Sequence, residues 1–327
     1  MKRSIFTVLA CLLAVAAWAQ NIAVVSPSNE TKLRRTLGEA IYDADPGSVI
    51  YLPGGGFTIP DTVKINKRLT IMGVSHRGTV DNADGATIIS GNLFFEEGSS
   101  SSALMGVYLT GNVNIGHDGS AVRDFVLRYC NVNSVQVNNS ECSDMTVNQN
   151  YIRGGSHFGG SNPKITNNVC GGLCHITGGT ISNNIMAGGE TPHKPGMYWH
   201  SSFNGVYETT ISKNIFVVRY ADFTTDCGTL FTSRNMFINM EWGDDCINLP
   251  DGTTWDDVFN DPNPGVSIRS NFEFEEAYKK YSDVGIYGGT GFNPDQLAPI
   301  PRIVSKKVAE RTDGSGKLKI EVTVKAN

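Results

Sequence analysis

Three carboxylates in the last third of the sequence have the residue type and spacing needed for chemistry. Asp244 and Asp245 are adjacent, and Asp226 precedes them by an interval close to the repeat length seen elsewhere in the chain. If that interval is one structural repeat, carboxylates of successive repeats lie above one another and repel, and a bound Ca²⁺ would relieve the repulsion. The alternative is structural, with Asp226 and Cys227 of one repeat stacked on Asp245 and Cys246 of the next.

A second candidate is the aromatic-rich stretch 187–207, which departs from the pattern around it. Loops on a rigid scaffold often carry function, and flat aromatic rings stack against sugar rings. We therefore expect carbohydrate contacts from Tyr198, Trp199, His200 and Phe203. Nearby basic side chains would attract an acidic glycan, and the candidates are Arg153, Lys194 and Lys213. The alternative is that the rings only pack the loop onto the scaffold.

Cysteine and histidine spacing suggests two further sites. Six cysteines follow Cys11, and an even number in an exported chain permits disulfides. Cys227 and Cys246 are separated by the same interval as Asp226 and Asp245, so a separation of one repeat would bring them within disulfide range. A row of buried free thiols is the alternative. His157 and His175 are also one such repeat apart and are expected to stack as a surface ladder. We assign no metal ligands, because metal binding would need a third ligand at fixed geometry.

The elements that must position these groups come from a repeat in residues 145–216. Four units place a β-branched residue three positions before an asparagine, and a fainter fifth unit contains Asn235. The four pairs are Val147 and Asn150, Ile165 and Asn168, Ile181 and Asn184, and Ile211 and Asn214. Short strands of this kind wind into a coil whose turns pair in parallel, about 4.8 Å apart. We expect the β-branched residues to stack inside the coil. We expect the asparagines to align at a corner, where Asn tolerates a left-handed backbone and its amide pairs from turn to turn.

These repeats resemble the right-handed parallel β-helix of the pectin-lyase-like superfamily. Residues 43–74 are similar to the first turns of that fold, and the resemblance covers about residues 33–291. Residues 283–292 resemble the closing segment of secreted bacterial β-helix proteins of uncharacterised function. The resemblance implies an all-β, single-stranded right-handed parallel β-helix, and it implies the fold rather than an activity.

Residues 243–247 also resemble the paired-aspartate motif of the polygalacturonases, which share this coil. That resemblance implies that Asp226, Asp244 and Asp245 act as general acid and base on a glycosidic bond. Two other elements of those enzymes are missing. The chain has no Arg-Ile-Lys element, and it has no Gly-His-Gly because no histidine follows His200. Leaving-group and substrate recognition are therefore not accounted for.

The predicted organisation has three parts. Residues 1–19 have the basic start, apolar run and Ala-Trp-Ala cleavage site of a secretory signal peptide, which fits better than lipidation at Cys11. Residues 20–298 form the β-helix, with an N-terminal helix over 28–42 that covers the first turn. Residues 299–327 form a C-terminal β-hairpin tail, because apolar and polar residues alternate over 318–324.

Composition agrees with an exported β protein. Removal of Lys2 and Arg3 with the signal leaves 25 Lys or Arg against 32 Asp or Glu, a formal net charge of −7. The sequence has no basic stripe, so nucleic acid is not expected as a partner. No apolar stretch after the signal approaches the ~18 residues that span a bilayer, so we expect no transmembrane segment in the mature protein.

The sequence therefore predicts a secreted bacterial protein, in the periplasm or at the cell surface. Its β-helix surface would bind a polysaccharide or cell-surface glycan, or would be presented at the cell surface, in either case without catalysis. No cofactor is expected, although Ca²⁺ is one interpretation of the stacked carboxylates. The first alternative is a polysaccharide-degrading hydrolase or lyase that uses Asp226, Asp244 and Asp245. The second is a structural or adhesive surface protein with no glycan ligand.

Overall fold

Parallel β-structure dominates the chain. The computed structural model describes residues 21–77, 85–187, 203–217, 224–238, 245–250, 252–260, 271–293, 302–309, 311–312 and 314–325. The signal peptide predicted at 1–19 lies outside these residues. None of the described helices is both long enough and apolar enough to cross a membrane.

Three long sheets form the body of the described chain. Sheet 1 has eleven strands, in the spatial order β2 (Thr31–Arg34), β1 (Ile22–Val25), β3 (Val49–Leu52), β5 (Thr70–Gly73), β8 (Ala103–Met105), β11 (Val126–Arg128), β14 (Thr146–Asn148), β17 (Lys164–Thr166), β20 (Thr180–Ser182), β23 (Thr209–Ser212) and β26 (Leu230–Ser233).

The other two sheets have the same stacked order. Sheet 2 has ten strands: β4 (Gly55–Thr58), β6 (Thr87–Ser90), β9 (Tyr108–Leu109), β12 (Asn131–Val132), β15 (Tyr151–Ile152), β18 (Val169–Cys170), β21 (Ile185–Ala187), β24 (Ile215–Val217), β27 (Met236–Ile238) and β28 (Ile247–Asn248). Sheet 3 has seven: β7 (Leu93–Phe95), β10 (Val113–Ile115), β13 (Val135–Val137), β16 (Ser156–Phe158), β19 (Leu173–Cys174), β22 (Phe203–Asn204) and β25 (Thr224–Thr225).

Each turn of the chain contributes one strand to each sheet. From β8 to β25 the chain visits sheet 1, sheet 2 and sheet 3 in that order and then returns to sheet 1. Neighbouring strands within a sheet are therefore one turn apart, and they pair in parallel. This arrangement is compatible with a β-helix or solenoid, and it confirms the prediction of an all-β chain built from long parallel sheets.

The interior of sheet 1 is a column of apolar side chains. Val147, Ile165, Ile181 and Ile211 are in register on successive strands, and all four are almost completely buried. The predicted stacking is confirmed for these residues. Upstream, however, the nearly even spacing of apolar residues suggests a column through Ile88, which is wrong. Ile88 belongs to sheet 2 and is 39% exposed, because spacing alone does not identify the sheet.

The column continues upstream through other residues of sheet 1, and the prediction that Ile71 faces the interior is confirmed. Ile71, Leu104 and Leu127 are in register and fully buried.

The predicted asparagine row is present at the corner between sheets 1 and 2. Each of its members is completely buried: Asn150, Asn168, Asn184, Asn214 and Asn235. Of the two expected reasons for asparagine at this position, amide pairing from turn to turn is confirmed, and the left-handed backbone is wrong. The left-handed backbone belongs to the residue before each of them, with φ between 52° and 58°: Gln149, Asn167, Asn183, Lys213 and Arg234. The row residues are needed for their amides instead.

The N-terminal end closes with strands as well as a helix. Strand β1 pairs antiparallel with both β2 and β3, so residues 31–34 are extended rather than helical as predicted. Helix α1 (Leu37–Asp43) begins after Thr36, whose side chain and that of Glu39 form a capping box. The predicted helix is therefore shorter and starts later, because pairing with β1 holds the preceding residues extended.

The described residues between Leu249 and Asn293 pack along the outer face of sheet 2. They include α2 (Trp255–Val258), a 3-10 helix (Glu276–Tyr281) and the segment 283–293, which we call the strap. A second apolar core joins them to outward-facing residues of five successive strands: Tyr151, Val169, Ile185, Ile215 and Met236. From the opposite side this core is completed by Leu249, Val258, Phe259, Phe272, Val284, Ile286 and Phe292.

The strap is tied to the left-handed corner residues. Asn183 Nδ2 donates to the carbonyls of Asp283 and Gly285, at 2.9 and 3.2 Å. Asn167 Nδ2 donates to those of Ile286 and Gly288, at 2.8 and 2.7 Å. The strap therefore runs along the coil axis from later turns towards earlier ones.

The ends of the strap are fixed as well. Asn293 N donates to Gln149 Oε1 at 2.8 Å. Asp283 forms ion pairs with Arg234 at 2.6 Å and with Lys213 at 3.6 Å. The corner side chains thus contact the strap from the turn of Arg234 back to the turn of Gln149.

The C-terminal residues form a separate two-stranded antiparallel sheet. Strand β29 (Arg302–Val308) pairs with β30 (Ile320–Lys325), with an irregularity between Ile303 and Ser305. This is the hairpin expected from the alternating sequence.

Candidate functional site

A row of polar side chains lies on the outer face of sheet 3. Successive residues of a strand point to opposite faces. In the short strands of sheet 3, the apolar residues face the interior, so the residue next to them faces outward. In register from turn to turn, these are Asn114, Gln136, His157, Cys174 and Asn204. We call this row the platform. Its side chains become more accessible along the axis, from buried Asn114 to exposed Asn204.

Glycines border the platform and keep it open. Gly154, Gly155, Gly171 and Gly172 precede the strands of two central turns, and Gly160 follows β16. A Cβ atom on Gly160 would lie 2.3 Å from the carbonyl oxygen of Cys142 in the preceding turn. Only glycine allows the chain to turn so closely there. No side chain from these bordering positions stands over the row.

Intramolecular hydrogen bonds orient the platform side chains. Gln136 Nε2 donates to Ser134 Oγ at 2.9 Å, and Cys174 Sγ donates to the carbonyl of Ser156 at 3.2 Å. His157 Nδ1 lies 2.9 Å from the carbonyl oxygen of Val137. A carbonyl only accepts, so Nδ1 carries the proton of the neutral ring and Nε2 is the acceptor. The amide of Gln136 likewise presents its oxygen as an acceptor.

Two imidazoles are in tilted contact at the edge of the platform, although the strand register pairs His157 with Cys174 rather than with His175. The ring centroids of His157 and His175 are 4.5 Å apart, with an interplanar angle of 43°. Partial burial, and then the neighbouring His157, hold the pKa of His175 below its usual value of 6.5, while Asp226 acts in the opposite direction. His175 is therefore neutral at pH 7.

Asp226 lies next to this imidazole pair and hydrogen-bonds to a phenol. Desolvation, followed by the charge and hydrogen bond of Asp226, raises the pKa of Tyr207 above 10.0. The Tyr207 ring passes over Gly228, where a Cβ atom would lie 2.4 Å from Tyr207 Cδ1. We call His157, His175, Tyr207 and Asp226 the corner cluster, since they lie where the chain passes from sheet 3 towards sheet 1.

The three predicted catalytic aspartates do not form one group in the described residues. Asp226 follows β25 at the corner between sheets 3 and 1. Asp245 lies at the corner between sheets 1 and 2, where its carbonyl accepts a hydrogen bond from Arg234 N at 2.7 Å. Both side chains are exposed, while Asp244 lies outside the described residues. A separation close to the repeat length therefore does not stack Asp226 on Asp245.

The same geometry removes the basis for the predicted disulfide. Cys227 follows β25, whereas Cys246 directly precedes β28 and packs beside Asn235. The two cysteines are at different corners of the coil rather than in one column. Elsewhere, complete burial raises the pKa of both Cys130 and Cys170 to about 12, so these two thiols are protonated and inert at neutral pH.

Of the four predicted carbohydrate contacts, Tyr198, Trp199 and His200 lie outside the described residues. Phe203 is a correction, because it is completely buried. It faces the interior from β22, and its ring meets that of Phe216 edge to face at 5.6 Å. Phe203 therefore belongs to the core and does not reach a surface ligand.

The predicted basic residues are also engaged elsewhere. Arg153 Nη2 donates to the carbonyl of Leu109 at 2.9 Å, and its guanidinium lies 4.8 Å from the centroid of the Tyr108 ring on sheet 2. Lys213 pairs with Asp283 of the strap. Lys194 lies outside the described residues. The described part of the site thus offers no support for a cationic surface that attracts an acidic glycan.

Among the described side chains, no group of three or more His, Cys, Asp or Glu residues could hold a metal ion. The interpretation of Asp226 and Asp245 as a Ca²⁺ site also loses its premise, since they are not stacked.

Sequence reasoning missed the platform, although a signal was present. The strands of sheet 3 have a polar residue between inward-facing ones, as in Val113-Asn114-Ile115, Val135-Gln136-Val137 and Ser156-His157-Phe158. Period-two triplets that recur once per turn predict an accessible polar column. In comparisons with known proteins, no protein-family model, curated protein or solved structure matches the chain.

Proposed function

We propose that this chain is a secreted bacterial protein of the pectin-lyase-like type, in the periplasm or at the cell surface. Its coil would be right-handed, because crossover connections between parallel strands of one sheet are right-handed in almost all proteins. Its role would be to bind a polysaccharide along the platform without catalysis. The repeat pattern and the resemblance of residues 43–74 support the family assignment.

The single observation that carries the binding proposal is the alignment of the platform with the coil axis. Five polar side chains follow one another in register, from Asn114 to Asn204. At about 4.8 Å per turn they span roughly 19 Å. An extended polymer with regularly spaced hydroxyl groups matches such a row, whereas a compact small molecule does not.

The chemistry of the row favours sugar hydroxyls. Amides both donate and accept hydrogen bonds, and so does a neutral imidazole, as a hydroxyl group does. The platform holds amides at Gln136 and Asn204 and an imidazole at His157. The partly exposed Tyr207 ring, at 38% exposure, lies at the edge of the row as an aromatic surface for a sugar ring.

A second candidate function follows from the corner cluster. Asp226 is hydrogen-bonded to Tyr207 and close to His175. A carboxylate, a phenol and an imidazole together are groups that transfer protons, so a polysaccharide hydrolase or lyase centred on Asp226 is the alternative. Among the described residues it lacks the second carboxylate expected of a glycosidase, because Asp245 is at another corner. A purely structural or adhesive role predicts no glycan binding at all.

Binding and activity assays separate these functions. We expect the mature protein to bind polysaccharides on a glycan array, and Gln136→Ala and His157→Ala to weaken binding by about tenfold each. Thr210→Ala, on the exposed face of sheet 1, is the matched control. If both platform variants bind like the control, the proposal is wrong. Release of reducing ends or unsaturated sugars that is abolished in Asp226→Asn would establish the enzyme instead.

A further inference from the structure

The C-terminal hairpin has one apolar face and one polar face. Val308 and Ile320 are cross-strand partners, and Val322 lies on the same face as Ile320 because residues two apart in a strand point the same way. On the opposite face, Ser305 Oγ donates a hydrogen bond to Thr323 Oγ1 at 3.2 Å. The hairpin is therefore amphipathic across its thickness.

The apolar face is accessible in the single chain. Val308, Ile320 and Val322 are between 47% and 56% exposed, and Leu318, which precedes β30, is 46% exposed. In the described part of the chain, β29 and β30 pair with each other and with no other strand, so they form one layer without a core of its own. A lone two-stranded hairpin is at best marginally stable in water, so burial of this face would stabilise it.

Charge is distributed very unevenly between this hairpin and the rest of the mature chain. Residues 302–327 contain seven Lys or Arg and three Asp or Glu, a formal net charge of +4. Residues 21–301 contain 18 Lys or Arg and 29 Asp or Glu, a formal net charge of −11. A short basic segment on an otherwise acidic protein is typical of contact with a negatively charged partner.

The basic side chains lie close to the apolar face. Lys307 and Lys317 are exposed, and they flank Val308 and Leu318 in the sequence. Side chains on the two faces of a single β-layer lie within about 10 Å of each other, which is close to the Debye length of about 8–10 Å in physiological salt. Charges on both faces therefore act on any surface that the apolar face touches.

A bilayer surface with anionic lipids matches both properties at once. Its headgroups attract Lys and Arg, and the boundary between headgroups and acyl chains accepts apolar side chains. Nucleic acid or an acidic polysaccharide matches the charge but leaves Val308, Ile320 and Val322 in water. An apolar protein surface matches the apolar face of the hairpin but not its charge.

We propose that the C-terminal hairpin attaches the protein to the surface of an anionic lipid bilayer. Val308, Ile320 and Val322 enter the boundary between headgroups and acyl chains, while the Lys and Arg side chains reach the lipid phosphates with their charged ends. Attachment does not depend on glycan binding, because the platform belongs to the coil, so the two are tested separately.

Co-sedimentation with lipid vesicles tests the proposal on the mature protein. Vesicles made of equal parts phosphatidylglycerol and phosphatidylcholine should bind it, and added salt should weaken this binding. Vesicles of phosphatidylcholine alone should bind at least about tenfold more weakly.

Two aspartate variants separate the apolar face from the charge. Val322→Asp should weaken binding to the anionic vesicles at least about tenfold more than Thr323→Asp, which adds the same charge to the opposite face of the same strand. Val322→Thr keeps the shape of the side chain and its preference for strands. It should weaken binding in the same direction as Val322→Asp, which shows that the loss does not come from a disrupted hairpin.

Neutral variants test the basic side chains. Lys307→Gln combined with Lys317→Gln should weaken binding by roughly thirtyfold. Lys32→Gln combined with Lys164→Gln removes the same charge from two exposed lysines of sheet 1 and should leave binding nearly unchanged.

Several results would overturn the proposal. One is a wild-type protein that does not bind the anionic vesicles, and another is equal binding to both kinds of vesicle. Equal effects of Val322→Asp and Thr323→Asp would show that the apolar face makes no contact with lipid. If Val322→Asp lowers the urea midpoint of the coil or converts a dimer into a monomer, protein covers the apolar face instead.

Discussion

Asn168 Oδ1 accepts two hydrogen bonds from Asn150, one from the backbone N and one from Nδ2, each at 2.9 Å. The same pair of bonds joins Asn184 to Asn168, Asn214 to Asn184, and Asn235 to Asn214. The second hydrogen of each Nδ2 binds a carbonyl of the preceding turn, such as Val147 O for Asn168. The corner therefore carries a continuous chain of buried amides along the axis.

Asn184→Ala should destabilise the protein by about 3–5 kcal/mol. The substitution leaves Asn168 N and the carbonyl of Ile165 without the partners that Asn184 supplies in a fully buried site, and each orphaned group costs about 1–3 kcal/mol. It also removes one of the bonds of Asn168 Nδ2, which keeps its bond to Val147 O. Urea denaturation followed by circular dichroism measures the change.

Asn138→Ala is the matched control for this loss. Asn138 is exposed, and its Nδ2 makes one long bond to the carbonyl of Gln136, at 3.3 Å. The expected loss is below about 0.5 kcal/mol. Equal losses for the two variants would contradict a structural role of the buried amides.

The asparagine row could be predicted from the sequence, whereas its backbone role could not. Recurrence after a β-branched residue located Asn150, Asn168, Asn184 and Asn214. Two of the turns have a pair of asparagines, Asn167-Asn168 and Asn183-Asn184, and composition does not say which member turns the chain. The left-handed member also binds the strap, which is distant in the sequence, and no local pattern contains that contact.

Ile215→Asp should destabilise the protein by at least about 4 kcal/mol. Ile215 faces outward on sheet 2 but is buried beneath the strap, so an aspartate there would be a buried, unpaired charge. Thr210→Asp, which faces outward on uncovered sheet 1, should cost less than about 1 kcal/mol. Urea midpoints provide the comparison. A mild effect of Ile215→Asp would mean that the outer face of sheet 2 is solvated.

The cover over sheet 2 also had a signal in the sequence. In turns with the strap, both residues after the row asparagine are apolar, as in Tyr151-Ile152 and Ile215-Phe216. One turn earlier the outward position is Asn131. A strand that is apolar on both faces is buried on both faces. The pattern therefore indicates that some segment covers this face, but not which one, since a tertiary contact determines that.

The ion pairs of Asp283 should make strap docking sensitive to acid. The hydrogen bond from Arg234, and then the charges of Arg234 and Lys213, hold the pKa of Asp283 below 3.8. A lowered carboxyl pKa stabilises the folded state fully above pH 3.8 and loses that contribution as the pH falls through the lowered value. Because the side chain is 39% exposed, we expect a contribution below about 1 kcal/mol.

Asp283→Asn is the variant that isolates this contribution. It should be less stable than the wild type near neutral pH, and the difference should disappear in strong acid. Paired urea titrations at several pH values measure the difference. If the difference in unfolding free energy between the two proteins were the same at all pH values, the charge of the carboxylate would not stabilise the folded state.

The corner cluster predicts that two substitutions shift the pKa of His175 in opposite directions. His157→Ala should raise the pKa of His175 towards 6.5, because it removes a neighbour that disfavours the charged ring. Asp226→Asn should lower the same pKa, because it removes the favourable carboxylate. Nuclear magnetic resonance of the imidazole protons measures both, with His117 as an internal reference outside the cluster. Shifts in the same direction for the two variants would contradict the arrangement.

The candidate site was less predictable than the fold for a physical reason. In the sequence, reactive side chains such as those of Asp226 and Asp245 can be paired only by their spacing. The turns of this coil differ widely in length, so two residues separated by about one repeat in the sequence need not lie at the same corner. The platform instead consists of residues such as Asn114 and Gln136, whose types do not indicate a site in the sequence. Only their alignment in the fold marks them as candidates for binding.

The strap has a consequence for how the chain matures. Translation and export deliver the polypeptide from its N-terminus, so turns up to residue 238 can wind before residue 283 has emerged. Until then the apolar outer face from Tyr151 to Met236 lacks the part of its cover that Val284, Ile286 and Phe292 provide. A chaperone that holds unfolded chains would bind this exposed apolar surface. A product interrupted before residue 283 would leave the surface exposed and tend to aggregate.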